Sequence, residues 1–255
     1  MNNSLNGMNI LVTRAEHQAA ELNQLIQQFG GCPINLPLQK VVQISVLPKK
    51  LCKLVEETDW LLFTSVNAVI YFVQNSTKEL IELVNKKKIG AVGEKTKKTL
   101  EEHGIQVTFM PSQFTGKTLA TELSSIVGDK SKFLFIRGSL ASETVPNILG
   151  KNGHQVTLLT VYETIPNTNV KDDLITLLLQ KKVDVITFLN PFSVKQFCYL
   201  IDETIDLKEL EHVSIACIGD VTALEASQSG LKHILVPSKF TIDSLIQKIA
   251  EDVSR

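Results

Sequence analysis

Six short turns carry the residues best suited to chemistry: Thr13-Arg14, Thr64-Ser65-Val66-Asn67, Gly93-Glu94-Lys95-Thr96, Arg137-Gly138-Ser139, Asn190-Pro191-Phe192-Ser193 and Gly219-Asp220-Val221-Thr222. Each closes a short apolar run and precedes a stretch with helical spacing. The free N–H groups of a first helical turn therefore point at whatever lies beyond the run. Such groups, with the helix dipole behind them, suit carboxylates or phosphates. Arg14 and Arg137 are the cations able to grip a carboxylate with two bonds, although either could pair with a nearby Asp or Glu. For any single turn the alternative is that its Ser, Thr, Asp or Asn only caps a helix. Their convergence at strand ends predicts a ligand cleft.

The elements that must position these turns alternate along the chain. Ile10–Thr13, Trp60–Thr64, Ile89–Val92, Val107–Met110, Phe133–Ile136, Val185–Phe188, Ser214–Ile218 and His233–Val236 read as buried parallel strands. Residues 16–29, 95–103 and 115–127 carry apolar side chains at helical spacing, and Gly30, Gly104, Gly128 and Gly230 are placed to supply a left-handed stop. Alternation of this kind predicts parallel sheets covered by helices, with ligands beyond the carboxyl ends of the strands.

The chain also matches itself. Asp59–Asn67 resembles Asp184–Phe192, Lys88–Thr96 resembles Ser214–Thr222, and Pro111–Thr115 resembles Pro237–Thr241. A further pair, Thr13-Arg14 and Ile136-Arg137, keeps the same order at nearly the same separation. The period is far too long for a solenoid and predicts a duplicated domain.

Composition excludes several classes. In 255 residues, 26 Lys and Arg nearly balance 27 Asp and Glu, so no overall field draws the chain to nucleic acid or an anionic membrane. No apolar run reaches the roughly 18 residues of a membrane span, and the first residues do not read as a secretion signal. A cytoplasmic location is expected. Cys32, Cys52, Cys198 and Cys217 lack ligand spacing and read as reduced core residues; no metal site is expected. His17, His103, His154, His212 and His233 are expected at the surface or in capping roles. Gly116-Lys117-Thr118 echoes the end of a phosphate loop, but Pro111 stands where its first glycine belongs, and no G-x-G-x-x-G follows the first strand.

Together these residues resemble the uroporphyrinogen-III synthase family. The resemblance covers nearly the whole chain. It rests on Val12-Thr13-Arg14, Phe63-Thr64-Ser65 with Asn67, Val92-Gly93-x-x-Thr96, Ile136-Arg137-Gly138, Thr160-Val161-Tyr162-Glu163-Thr164 and Ile218-Gly219-x-x-Thr222-Ala223-x-x-Ala226. It implies an α/β fold of two similar flavodoxin-like parallel-sheet domains joined by two short extended linkers. The chain would begin in one domain, build the other completely and return. Crossings near Pro37 and Pro166 divide it into residues 1–36 with 167–255, and residues 37–166.

The resemblance further implies cyclisation of linear hydroxymethylbilane with loss of water and inversion of the last pyrrole. It implies a monomer with no cofactor, and leaves room for transient contact with the preceding enzyme of the pathway. The substrate carries eight carboxylates, which fits helix N-termini and a few cations. Tyr162 is the candidate proton donor for the departing hydroxyl. A phenol, with its ordinary pKa near 10, is a weak acid, so a partial role is expected. A half-buried tyrosine with a structural hydrogen bond is the alternative. Substrate contacts would come from Arg14, Ser65, Asn67, Gly93, Thr96, Arg137, Gly138, Ser139, Asn190, Pro191, Ser193, Gly219 and Thr222. Ser142-Glu143-Thr144 departs from the family, which often has a further arginine there. A non-catalytic two-domain protein binding a polycarboxylate is the competing reading, since fold alone does not fix function.

Overall fold

The computed structural model describes residues 4–253 except Asp129 and Glu203, and for residues 16–18 it describes the backbone alone. The expectation for the His17 side chain therefore lies outside the described residues. The chain divides into two units, residues 1–40 with 165–255, and residues 41–164. These boundaries lie a few residues inward of the prolines. The reason is visible in the hydrogen bonds: Leu36 and Leu38 donate to Val12 and Thr13, and Asn167 donates to Pro37 and Leu38, which ties both stretches to the first unit.

In chain order, β1 (Asn9–Val12), α1 (Glu16–Gln28) and β2 (Cys32–Asn35) begin the first unit, and β3 (Gln39–Gln43) leads out of it. The second unit holds α2 (Pro48–Glu56), β4 (Trp60–Phe63), α3 (Val66–Gln74), α4 (Lys78–Val84), β5 (Lys88–Ala91) and α5 (Glu94–Glu102). It continues with α6 (Gly116–Ile126), β6 (Lys132–Gly138), α7 (Thr144–Lys151) and β7 (Gln155–Pro166). The chain then returns through α8 (Lys171–Leu179), β8 (Val185–Phe188), α9 (Pro191–Ile201) and β9 (Ser214–Cys217). It ends with α10 (Asp220–Gln228), β10 (Ile234–Leu235) and α11 (Ile242–Val253).

The first unit's sheet runs β2-β1-β8-β9-β10, with every pair parallel. The second runs β3-β7-β6-β4-β5, and β7-β6-β4-β5 is parallel. All four residues of β4 and of β8 are buried, because helices cover both faces of a central parallel strand. Along β1 the faces alternate: Ile10 and Val12 pack with Leu245 and Ile249, while Leu11 packs with Phe188 and Phe197. Trp60 and Leu62 likewise face one cluster, and Leu61 and Phe63 the other.

One core pair recurs in both units. Phe63 on β4 meets Phe72 on α3 edge-on at 5.4 Å, and Phe188 on β8 meets Phe197 on α9 edge-on at 5.5 Å. All four rings are buried. Edge-to-face contact is worth about 0.5–1.5 kcal/mol beyond burial.

Several expectations are corrected. Val107–Met110 forms no strand but a single bridge from Phe109 to Gly90, since the Ile89 N–H is partly taken by the Thr108 hydroxyl at 3.1 Å. Gly30, Gly104 and Gly230 adopt positive φ as expected, but Gly128 does not; the left-handed residue there is Lys130, at φ 58°. Cys32 is exposed, because β2 lies at a sheet edge. His154 is buried instead of at the surface, with its ring edge-on to Phe133 at 5.4 Å.

Candidate active site

In each sheet there is a point where neighbouring strands connect in opposite directions, and such points are where open α/β sheets hold ligands. In the second unit this point lies beyond the carboxyl ends of β4 and β6. A cavity of about 250 Å³ opens there, lined by Thr64, Ser65, Gly138, Leu140, Ala141, Ser142, Tyr162 and Thr164. It is smaller than the roughly 300–1,000 Å³ of sites that enclose a drug-sized ligand, so it can take one end of a large molecule.

Tyr162 is fixed in this cavity from three sides. Its ring lies against the backbone of Gly138, where a Cβ would stand only 2.6 Å from the phenol oxygen. Behind it, Tyr71 packs at 5.5 Å between ring centres. Its hydroxyl lies 3.3 Å from the Ser65 hydroxyl. Ser65 is the N-cap of α3, its oxygen accepting the Ala68 N–H at 3.1 Å. Either hydroxyl can donate in this pair, and with the serine donating, the phenol proton faces the cavity. Ser139 fastens the two strands beyond it: its N–H donates to the Tyr162 carbonyl at 3.0 Å and its hydroxyl accepts the Thr164 N–H at 3.2 Å.

Arg137 takes the second of the two roles open to it in the sequence, pairing with a carboxylate of its own chain. Its side chain is buried, and its guanidinium donates to Glu143 at 2.5 Å, to the Gly138 carbonyl at 3.3 Å and to the Ala141 carbonyl. It also lies over the Phe135 ring at 5.7 Å. These bonds consume the fork that was expected to grip a ligand carboxylate, and they hold the loop from residue 138 to 143 that forms one wall of the cavity. Glu143 was visible in the sequence as a departure from the family, and this pairing is its structural role.

The first unit's equivalent point lies beyond β1 and β8. Thr13 is buried, its hydroxyl donating to the Thr187 carbonyl at 2.7 Å while the Thr187 hydroxyl donates to Leu11 at 2.9 Å. Arg14 is half-buried; burial pushes its pKa below the usual arginine value, and the charge of Glu21 opposes that shift. Asn190 caps α9 by accepting the Ser193 N–H at 2.8 Å, with Pro191 as the first helical residue. Gln39 then donates to Asn190 at 3.2 Å and to the Ser193 hydroxyl. No motif marks Gln39, which sits in the crossing segment, and the sequence alone did not reveal it.

Elsewhere the expected residues divide between cap and wall. Asn67 is half-buried in the first turn of α3. Gly93 and Gly219 stand before α5 and α10, extended and with no side chain to cap them. Thr96 and Thr222 are buried in the first turns of those helices, and Glu94 and Asp220 are exposed at their starts. The structure brings Ser65, Gly138 and Tyr162 around one cavity, and joins Asn190 and Ser193 through Gln39. Among the described residues, no helix is long and apolar enough to cross a membrane.

A family model described as Uroporphyrinogen-III synthase HemD matches residues 20–247. The uroporphyrinogen-III synthase of Chlorobaculum parvum is 30% identical over 253 residues, covering 95% of this chain and 98% of that protein. The porphyrin biosynthesis protein HemD of Ruminiclostridium josui is 31% identical over 98% of this chain, which spans half of that longer protein. Among solved structures, the uroporphyrinogen-III synthetase of Helicobacter pylori has a TM-score of 0.65 at 18% identity, covering 94% of this chain and 97% of that one. The mutant uroporphyrinogen III synthase of Thermus thermophilus has a TM-score of 0.62 at 19% identity, covering 97% of this chain and 99% of that one. The two structures share the fold, and the matches along the sequence decide the family: this chain belongs to the uroporphyrinogen-III synthases, enzymes of tetrapyrrole biosynthesis.

Proposed function

We propose that this protein converts linear hydroxymethylbilane to uroporphyrinogen III as a cofactor-independent hydro-lyase, with Tyr162 assisting departure of the hydroxyl. The observation that carries this reading is the Tyr162–Ser65–Gly138 arrangement at the switch-point cavity of the second unit. As the C–O bond of the hydroxymethyl group breaks, the phenol proton joins the leaving oxygen and water departs. The remaining azafulvene cation is attacked by the substituted carbon of the last pyrrole. The older bond from that carbon to its neighbouring methylene then breaks, the methylene re-bonds at the free α-carbon of the same pyrrole, and the proton lost from that carbon restores the phenol. The bilane closes unaided to the non-inverted isomer, so the protein's task is to hold the chain bent for the less accessible attack.

Ser65 supports the proton donor, and Arg137 supports the loop that walls the cavity. Arg14, Asn67, Gly93, Thr96, Ser139, Asn190, Pro191, Ser193, Gly219 and Thr222 are assigned to substrate binding, through side chains or the N–H groups of helix starts. A cytoplasmic monomer, in transient contact with the enzyme that supplies its unstable substrate, fits the balanced charge of 26 basic and 27 acidic residues.

The test is a coupled assay with freshly generated hydroxymethylbilane, the porphyrin isomers being separated after oxidation. Type III product at a rate proportional to protein is expected. Type I alone, at the rate found without protein, would sink the cyclase reading in favour of a protein that only binds the bilane.

A further inference from the structure

Two phenylalanines are held in the open by matching loops. In the second unit, the loop from Pro111 to Thr115 closes through the Thr115 N–H to the Gln113 carbonyl at 2.7 Å. Thr115 then caps α6, its hydroxyl accepting the Thr118 N–H at 3.1 Å, and Ser112 is tied to Glu122 through its N–H at 3.0 Å and through its hydroxyl. In the first unit, the loop from Pro237 to Thr241 closes in the same way, Thr241 N–H to Lys239 at 2.8 Å, and the Thr241 hydroxyl accepts the Ser244 N–H at 3.3 Å. Between these fixings Phe114 is 60% exposed and Phe240 is 61% exposed.

Each phenylalanine precedes a helix N-cap, where an apolar residue ordinarily packs against the fourth helical residue. Those partners would be Leu119 and Leu245; both are fully buried, whereas the two rings stay mostly exposed. The rings instead lie on glycines. A Cβ on Gly93 would stand 3.4 Å from Phe114 Cγ, and one on Gly219 would stand 3.2 Å from Phe240 Cγ. In each unit an aromatic ring is thus anchored beside the carboxyl end of a strand, β5 or β9, and left uncovered. Glu94 and Asp220 are exposed at the adjacent helix starts, so each ring stands beside a polar turn and adds an apolar face to it.

We propose that Phe114 and Phe240 are substrate-positioning residues, each offering its ring to one pyrrole of the linear tetrapyrrole. The proposal rests on the cyclase reading and extends it to the pyrrole rings, which the polar turns do not address. Aromatic rings pair in offset or edge-on contact, and a ring whose loop is fixed beforehand gives up little freedom on binding.

The experiment compares the full chain with Phe114→Ala, Phe114→Leu and Phe114→Trp, and the same three changes at Phe240. Steady-state rates with fresh hydroxymethylbilane, the isomer ratio and melting temperature are read for each. The Ala and Leu variants are expected to raise KM roughly two- to tenfold, with kcat within about twofold of the parent. The Trp variants are expected to keep a KM near the parent's. If Leu serves as well as Phe, or if only the melting temperature moves, the ring is merely a cover for the glycine backbone and the proposal is overturned. Unchanged KM in every variant of a parent that makes type III product overturns this proposal alone. A parent giving only type I at the protein-free rate overturns the cyclase reading with it.

Discussion

Gly138 and Tyr162 interlock: a Cβ on the glycine would stand 2.6 Å from the tyrosine's hydroxyl oxygen, closer than such atoms ever come. The glycine cannot gain a side chain without displacing the ring. Gly138→Ala should therefore swing the ring out of reach of Ser65, destabilise the fold by about 1–3 kcal/mol, and lower kcat at least as much as Tyr162→Phe does. Tyr162→Phe keeps the ring packed and removes only the proton, so its melting temperature should hold while kcat falls roughly tenfold, short of the ~10²–10⁴ of a dedicated acid. Melting curves and the isomer-resolved assay read both, and an unimpaired Tyr162→Phe enzyme removes the proton-donor role.

The Arg137–Glu143 pair joins a buried side chain, 7% exposed, to one 58% exposed. Glu143 can rehydrate when its partner is lost, but Arg137 has several bonds to lose. Arg137→Ala should cost about 2–4 kcal/mol, and Glu143→Ala about 1–2 kcal/mol, since it leaves the guanidinium its loop carbonyls. Both should raise KM by loosening the cavity wall. Chemical denaturation of the two variants gives the order, and the reverse order would mean that the pair is not what holds the loop.

Asn190 serves the cap of α9 and the bond from Gln39 at once. Asn190→Ala should cost about 1 kcal/mol for the cap. Asn190→Asp should recover most of that stability, since a carboxylate accepts from both donors. Gln39→Ala leaves the cap intact, so it should lower melting temperature less than Asn190→Ala while still raising KM. Equal losses from Gln39→Ala and Asn190→Ala would show that the two side chains act only as one structural unit.

Burial pushes the Cys217 thiol up to about 12. Its folded pKa lies above the ordinary unfolded value near 8.5, so the stability it contributes is full below that pH and is lost as pH rises towards about 12. A Cys217→Ala variant should show a shallower fall in stability over this alkaline window. In the folded protein at neutral pH, a thiol reagent should reach exposed Cys32 well before buried Cys217. Simultaneous labelling of both would contradict the burial of Cys217.

What could be seen in the sequence and what could not follows the range of the interactions. The buried central strands β4 and β8 announce themselves through unbroken apolar runs, and the turns after them through polar residues ahead of helical spacing. Tyr162, Ser65 and Gly138 were all legible as candidates. That they meet was not, because the register of β6 against β7 brings Gly138 to Tyr162 across 24 residues of chain, and Ser65 reaches Tyr162 across 97. Edge strands β2 and β3 were missed: Cys-Pro-Ile-Asn and Gln-Lys-Val-Val-Gln have neither the run nor the alternation of a buried strand. His154 and Arg137 looked like surface or ligand groups because a polar side chain's burial depends on neighbours such as Phe133 and Phe135 that nothing local specifies.

The divided first unit has a consequence for how the chain is made. As β1 leaves the ribosome it can pair with β2, but its other neighbour, β8, is still unsynthesised. The second unit, residues 41–164, is complete long before the first. At about 5–20 residues per second, residues 165–255 take roughly 5–20 s to appear. Until β8 (Val185–Phe188) appears, in the first part of that interval, the apolar edge of β1 waits unpaired, while residues 41–164 can already fold around their own core. The nascent protein thus ripens from its middle outward, and its earliest strand is the one most in need of a chaperone's cover.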